Sequence, residues 1–187
     1  MRVLFEIDTK DYTEFDSLFI RPSSRAIIIE NKKIAMVYSK KYDYYKFPGG
    51  GIEKNESPID AVIRETKEEA GIIINKNNIE EYGIVKRKEK IEDNKVFVQD
   101  NYYYFINSYD AISNQNLDEY EKEEGFTLIF VDLLKAISTN KFNTISTLIV
   151  NKFDNVLTLY RVFSSRNQKK YARFLVVYNP MRKPFKM

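Results

Sequence analysis

Three glutamates lie close together in the segment RETKEEAG, which spans residues 64–71. Glu65 and Glu69 are four residues apart and Glu68 is three from Glu65, so a helix would place all three on one side. Like charges at this spacing repel one another on a helix. The crowding predicts a compensating positive charge, and carboxylate oxygens are ligands that Mg²⁺ and Mn²⁺ prefer.

The composition narrows the chemistry that the chain can carry out. Its 187 residues include no cysteine and no histidine, which excludes disulfides, thiolate or imidazole metal sites, and a nucleophile activated by histidine. The side-chain groups that remain available for chemistry are carboxylates, amines, phenols and hydroxyls. A catalytic metal in such a chain should be a hard cation held by oxygen, such as Mg²⁺ or Mn²⁺.

A glycine-rich loop precedes the glutamates. The stretch FPGGG, residues 47–51, predicts a loop whose backbone can approach another group closely, because glycine has no Cβ. Ser57 and Pro58 predict the first residues of a helix, and Gly71 predicts its end. A carboxylate-bearing helix beside such a loop suits metal-assisted attack of water on a phosphate, whereas composition alone is equally consistent with a solvated acidic face.

The segments around this helix are rich in β-branched and aromatic residues. Residues 25–30 and 34–39 predict a β-hairpin around a short polar turn. Further strands are predicted within residues 71–74, 82–88, 96–109 and 126–133. Because the helix lies between strands, we expect an α/β or α+β sandwich.

The spacing of the polar and glycine residues resembles the Nudix box. Gly50 is followed after five residues by Glu56, and after seven more by RETKEEAGI, residues 64–72. The glycines and the Glu, Arg-Glu and Glu-Glu positions of the box are all present. Thr66 departs from the pattern, since the family usually has an aliphatic residue there.

The resemblance implies a fold and an activity. The fold would be a Nudix-type α/β/α sandwich with a mixed β-sheet, in a single domain of residues 1–187 whose Nudix core spans about residues 20–137. The activity would be hydrolysis of the pyrophosphate linkage of a nucleoside diphosphate derivative, by attack of water on phosphorus. The implied cofactor is Mg²⁺ or Mn²⁺, and the implied partner is a small nucleotide-type substrate.

The resemblance also implies roles for individual residues. Glu65 and Glu69 would bind the cation, Glu68 would share that role, and the carbonyl group of Gly49 would be a further ligand. Arg64, together with Glu56 of the box, would brace the helix through salt bridges. These assignments make Glu65, Glu68 and Arg64 part of the expected catalytic machinery.

The general base and the substrate contacts lie less clearly within the motif. Family members take the base either from the box or from a later loop, and Glu121 in the acidic run at residues 117–126 is our predicted base; the alternative is an exposed acidic loop. Arg25 is predicted to bind phosphate, with a surface ion pair as the alternative. Tyr45 is predicted to stack on a nucleobase, with a core position as the alternative.

The C-terminal part of the chain differs in charge from the rest. Residues 155–187 carry eight lysines or arginines and no acidic residue, while the remainder has an acidic excess. We predict that residues 138–187 form a basic extension outside the Nudix core, with a helix within 145–160 and a strand at 173–178. This extension suggests one alternative function, a Nudix protein that binds nucleic acid through it, although a solvated surface segment would have the same composition. A separate alternative is a non-catalytic Nudix-like domain that senses a nucleotide.

The chain shows no sign of a membrane address. No apolar run approaches the roughly 20 residues that a bilayer span needs. The first residues, MRVLFEIDTK, are charged too early for a secretory signal. We therefore expect a cytoplasmic protein without a membrane partner.

Overall fold

The structure, a computed structural model, describes residues 1–143 with the exception of Asp93. The strands are β1 Val3–Asp8, β2 Ser17–Ile20, β3 Ser23–Glu30, β4 Lys33–Ser39, β5 Tyr44–Lys46, β6 Ile72–Ile73, β7 Ile79–Glu92, β8 Lys95–Ile106, β9 Ala111–Ile112 and β10 Phe126–Val131. The helices are α1 Pro58–Ala70, α2 Glu119–Glu124 and α3 Leu133–Asn143, with a short 3₁₀ turn at Lys76–Asn78. The helix and strand predicted within residues 145–160 and 173–178 lie outside the described residues.

Parallel and antiparallel pairs are combined in the main sheet. Its strand order is β1-β7-β8-β3-β4-β10, with β2 paired to β8 and β5 paired to β4. β3 runs parallel to β8 and antiparallel to β4, and Glu30 pairs with Lys33 across the turn of the predicted hairpin. The predicted α+β fold with a mixed sheet is confirmed.

Helices cover both faces of the central strands. Successive residues of a strand point to opposite sides, so neighbouring residues of β3 belong to different core clusters. Ala26 and Ile28 of β3 belong to a core cluster with Val62 of α1. Ile27, which lies between them, belongs to a second cluster with Ala136 of α3. The near-continuous apolar sequence of β3 is explained by burial on both faces.

The N-terminal strands β1 and β2 were not predicted from the sequence. β1 runs parallel to β7, and β2 runs parallel to the start of β8, so residues before the expected core extend the sheet. β7 is also longer than the predicted run at residues 82–88, whereas β8 ends three residues before the end of the predicted run at 96–109. In the described part of the chain, no helix combines the length and apolar character needed to cross a bilayer.

The ends of α1 follow the sequence signals. The side chain of Ser57 accepts a hydrogen bond from the Asp60 backbone N–H at 3.1 Å, and Pro58 is the first helical residue. Gly71 ends the helix with φ 72°, and its N–H donates to the Lys67 carbonyl group. These caps fix the length of α1 and therefore the positions of its glutamates.

Candidate functional site

The glycine loop lies directly against the carboxylates of α1. Gly49 has φ 133°, and a side chain there would collide with the backbone of Ser24. A Cβ atom at Gly50 would collide with the carboxylate of Glu65. The Gly49 N–H donates to Glu69 Oε2 at 3.1 Å. Glycine is required here because backbone and carboxylates share one small space.

Arg64 holds the outer side of α1 together. Its guanidinium donates two hydrogen bonds to Glu56, at 2.8 and 2.9 Å, and one to Glu65 at 2.9 Å. It also donates to Glu68 at 3.0 Å and to the Gly51 carbonyl group at 3.1 Å. The hydrogen bond from Arg64 is the main cause of a lowered pKa for Glu56. This geometry matches the bracing role implied for Arg64 and Glu56.

Glu69 faces inward and is only 1% exposed. Lys46 Nζ lies 2.5 Å from its Oε1 atom. Burial raises the pKa of Glu69, but attraction to Lys46 and Arg25 and hydrogen bonds from Lys46 and Glu121 outweigh it, so the pKa is lowered. Lys46 was not predicted as a site residue, although a lysine between aromatic residues in a strand is an available sequence signal for a buried ion-pair partner.

Glu121 lies beside Glu69, although the two are far apart in sequence. The acidic run predicted as a loop contains the short helix α2, in which Glu121 is 4% exposed. Its carboxylate accepts hydrogen bonds from the Asp118 backbone N–H at 3.0 Å and from the Tyr120 hydroxyl at 2.8 Å. Burial, followed by the charge of Glu69 and a hydrogen bond with it, raises the pKa of Glu121 to about 7.

The segment before α2 connects it to the end of α1. The Asn116 N–H donates to the Glu68 carbonyl group at 2.9 Å, and the Gln115 side-chain amide donates to the Glu69 carbonyl group. The Ser113 N–H donates to the Gly71 carbonyl group at 2.7 Å. Carbonyl groups that a helix end leaves unpaired are thus used to position the chain that leads to Glu121.

The donor set fits a hard divalent cation. Burial, and then the charge of Glu69, raise the pKa of Glu65. Glu69 therefore acts electrostatically on both Glu65 and Glu121, which places three carboxylates in one small region beside the Gly49 backbone. Over residues 1–143 without Asp93, no three acidic side chains are already arranged to hold an ion. Arg64 and Lys46 form ion pairs with Glu65 and Glu69, respectively. A divalent cation would neutralise the carboxylate charges that Arg64 and Lys46 now balance.

The two predicted substrate residues differ in position. Arg25 lies at the site, where its guanidinium donates to the carbonyl groups of Gly49 and Phe47. Tyr45 is 4% exposed, and its ring packs against Tyr38 with centroids 4.8 Å apart. This burial contradicts the stacking role predicted for Tyr45, because no ring face is left for a nucleobase. The phosphate role of Arg25 stays a prediction.

Comparisons with known proteins identify the family. A family model described as NUDIX domain matches residues 20–145. An RNA pyrophosphohydrolase from Hydrogenovibrio crunogenus is 46% identical over 48 residues, which are 25% of this chain and 29% of that protein. One from Nitratiruptor sp. is 40% identical over 57 residues, covering 27% of this chain and 37% of that protein. The chain therefore matches well under half the length of these relatives.

Among solved structures, the mutator protein MutT from Bacillus halodurans is similar in fold. The superposition has a TM-score of 0.51 at 18% sequence identity, and covers 64% of this chain and 72% of the other. At this identity the likeness concerns the fold, which is the same mixed sheet with few helices.

Proposed function

Since this chain belongs to the NUDIX family, we propose that it hydrolyses the pyrophosphate linkage of a nucleoside diphosphate derivative with the help of a divalent cation. The observation that carries the proposal is the grouping of Glu65, Glu69 and Glu121 at the Gly49–Gly50 backbone. Carboxylates are costly to bury near one another, so their grouping is best explained by a cationic ligand.

Within this proposal, Glu65 and Glu69 hold the cation, which is Mg²⁺ or Mn²⁺. Glu68 has a side chain that is 38% exposed, so it supports the site from its rim. The carbonyl group of Gly49 faces Arg25 and is a further candidate ligand. When bound, the cation supplies charge neutralisation for the diphosphate and makes a water molecule more acidic.

Glu121 is the proposed general base. A carboxylate with a pKa of about 7 can take a proton from water and release it again near neutral pH. The Asp118 N–H and the Tyr120 hydroxyl fix the orientation of the carboxylate. Arg25, whose guanidinium lies beside Gly49, would contact a phosphate oxygen.

A second candidate substrate is the 5′ end of RNA. It is favoured by the curated relatives, several of which are named RNA pyrophosphohydrolase. A 5′-triphosphorylated RNA contains the same phosphoanhydride bond as a nucleotide, so the proposed chemistry is unchanged. The basic residues at 155–187, which lie outside the described residues, are an alternative nucleic-acid contact by their charge alone.

One substrate panel separates these candidates. Nucleoside triphosphates, nucleotide sugars, dinucleoside polyphosphates, oxidised nucleotides and a 5′-triphosphorylated RNA are incubated with the protein and Mg²⁺, and phosphate, pyrophosphate and nucleotide products are measured. On the preferred substrate we expect Glu65→Gln and Glu69→Gln to lower the rate by at least about 100-fold.

The matched control is Lys67→Gln, which changes a charge on the exposed surface of the same helix. It should keep the rate within about twofold, since Lys67 contacts none of the carboxylates through its side chain in the described structure. Full activity of both glutamate variants would exclude the metal site. Activity without any divalent cation would exclude the proposed chemistry.

A further inference from the structure

Lys46 occupies the inner side of the carboxylate site. It is the last residue of β5 and comes directly before the glycine loop. Its Nζ atom lies 2.5 Å from Glu69 Oε1, and the two side chains are 12% and 2% exposed. This is a buried ion pair, not a surface contact.

The other side of the ammonium group faces an aromatic ring. Nζ lies 4.3 Å from the centroid of Phe126, a residue that is 3% exposed. Contact with the face of a ring stabilises a cation, and more strongly where water is excluded. Lys46 is therefore enclosed between a carboxylate and a ring, which makes its ammonium group a built part of the site.

The two oxygens of Glu69 have different partners. Oε2 accepts the Gly49 N–H, and Oε1 accepts Lys46. A divalent cation that binds Glu69 needs one of these oxygens, and Oε1 is the one whose partner is a side chain with several rotatable bonds and not a backbone group. A divalent cation at Oε1 would repel the positively charged ammonium group beside it, so cation binding and the Lys46 contact compete at this atom.

We propose that Lys46 is the resident counter-ion of Glu69, and that a divalent cation binds by displacing its ammonium group. The inference rests on the proposed function, because it takes the carboxylates to be a metal site. Lys46 is a positioning residue: it balances the charge of the buried Glu69 and holds its carboxylate in place before the cation arrives, and it lowers the affinity for that cation.

This role predicts changes of opposite sign in two quantities when Lys46 is replaced: the stability of the cation-free protein and the affinity for the cation. Without Lys46, Glu69 is a buried carboxylate that has lost the ammonium group paired with Oε1, so the cation-free protein should be less stable. The cation no longer has to displace the ammonium group, so its affinity should rise. A residue that merely supports the local fold would lower both quantities when removed.

The test is Lys46→Met, which keeps the aliphatic stem and removes the charge. Mn²⁺ binding is measured by titration calorimetry, and melting temperatures are measured with chelator and with saturating Mn²⁺. We expect at least about tenfold tighter Mn²⁺ binding, a lower melting temperature with chelator, and a larger rise on adding Mn²⁺ than in the wild type.

Lys67→Met is the matched control, since it removes a positive charge from the exposed surface of α1. Its effect on Mn²⁺ affinity should stay below about threefold, because an exposed charge is screened by solvent. Lys46→Gln is the second variant, for use if the Met variant does not fold; it keeps a hydrogen-bond donor for Glu69 and should also tighten Mn²⁺ binding.

The outcomes separate this inference from the proposed function. Equal or weaker Mn²⁺ binding in the folded Lys46 variant overturns the counter-ion role. The proposed metal site still stands in that case if Glu69→Gln, made in the otherwise wild-type protein, abolishes Mn²⁺ binding. Mn²⁺ binding that is absent from the wild type, or unchanged in Glu69→Gln, overturns both.

Discussion

The two sides of α1 hold their glutamates in different ways. On the outer side, Arg64 joins Glu56 and Glu68 in a network of side chains that are 14–38% exposed. On the inner side, Glu69 and Glu121 are 1% and 4% exposed and lie next to each other and to Lys46. Solvent screens the first group, whereas the second group is shielded from it.

Because of this difference in exposure, the two groups of residues contribute to the site in different ways. Partly exposed ion pairs contribute less free energy than buried ones, so the Arg64 network acts mainly by fixing the direction of side chains. In the buried group, each charge changes the pKa of its neighbours and the affinity for cations. We therefore expect substitutions on the inner side to have larger effects, and effects that depend on pH.

The largest expected effect comes from Glu121→Gln. As the proposed base is lost, hydrolysis should slow by about 100-fold or more. The same substitution should increase the stability of the cation-free protein above neutral pH. The pKa of Glu121 is about 7 in the fold against 4.5 ordinarily, so the folded protein loses stability as pH rises from 4.5 through 7.

Glutamine cannot ionise, so the variant escapes this loss. At pH 8 with chelator it should be more stable than the wild type by up to about 3 kcal/mol, and at pH 4.5 the advantage should vanish. Urea unfolding at both pH values measures this. Glu123→Gln, on the exposed surface of α2, is the control and should leave rate and stability unchanged. A variant that is slow but no more stable at pH 8 would mean that Glu121 is not held near ionised Glu69.

A smaller effect is expected on the outer side. Arg64→Lys keeps the charge but loses the two-point contact with Glu56, because an ammonium group lacks the planar fork of guanidinium. Hydrolysis should fall about tenfold with a stability loss of about 1 kcal/mol or less. Steady-state rates and urea unfolding check this, with Lys76→Arg as the control at an exposed pair with Asp60. A loss as large as that of Glu121→Gln would remove the distinction between the two sides.

The outer side was largely predictable from sequence because its parts are local. Ser57, Pro58 and Gly71 have strong end preferences, and these set the bounds of α1. Arg64 and Glu68 are one turn apart, so their contact follows from helix geometry. The hairpin of β3 and β4 was predictable for the same reason, since a short turn joins two apolar runs.

The inner side was not predictable, because chain segments far apart in sequence build it. Lys46 reaches Glu69 from 23 residues away, and Glu121 comes from beyond β9. The burial of Tyr45 depends on Asn140 of α3, whose side chain bonds both backbone groups of Tyr45. β1 and β2 were missed because they complete a sheet started by other strands, and their own sequences carry mixed patterns.

The smallest expected effect concerns Thr66, which lies on the sheet-facing surface of α1. Thr66 is 0% exposed, and within the described part of the chain its Oγ1 atom has no hydrogen-bond partner. Thr66→Val has nearly the same shape and removes a hydroxyl that is costly to bury. Stability should rise by about 1 kcal/mol, as measured by urea unfolding, with hydrolysis within about twofold of the wild type.

Thr127→Val, at an exposed position of β10, is the control for a general preference for valine. If Thr66→Val is stabilised and keeps its rate, then the sheet-facing surface of α1 contributes packing alone, and the site depends on the two flanking sides. A stability gain accompanied by a large loss of rate would mean instead that the Thr66 hydroxyl adjusts the position of α1 against β3. The sheet-facing surface of α1, which lies between the outer and inner sides, would then contribute to catalysis as well as to packing.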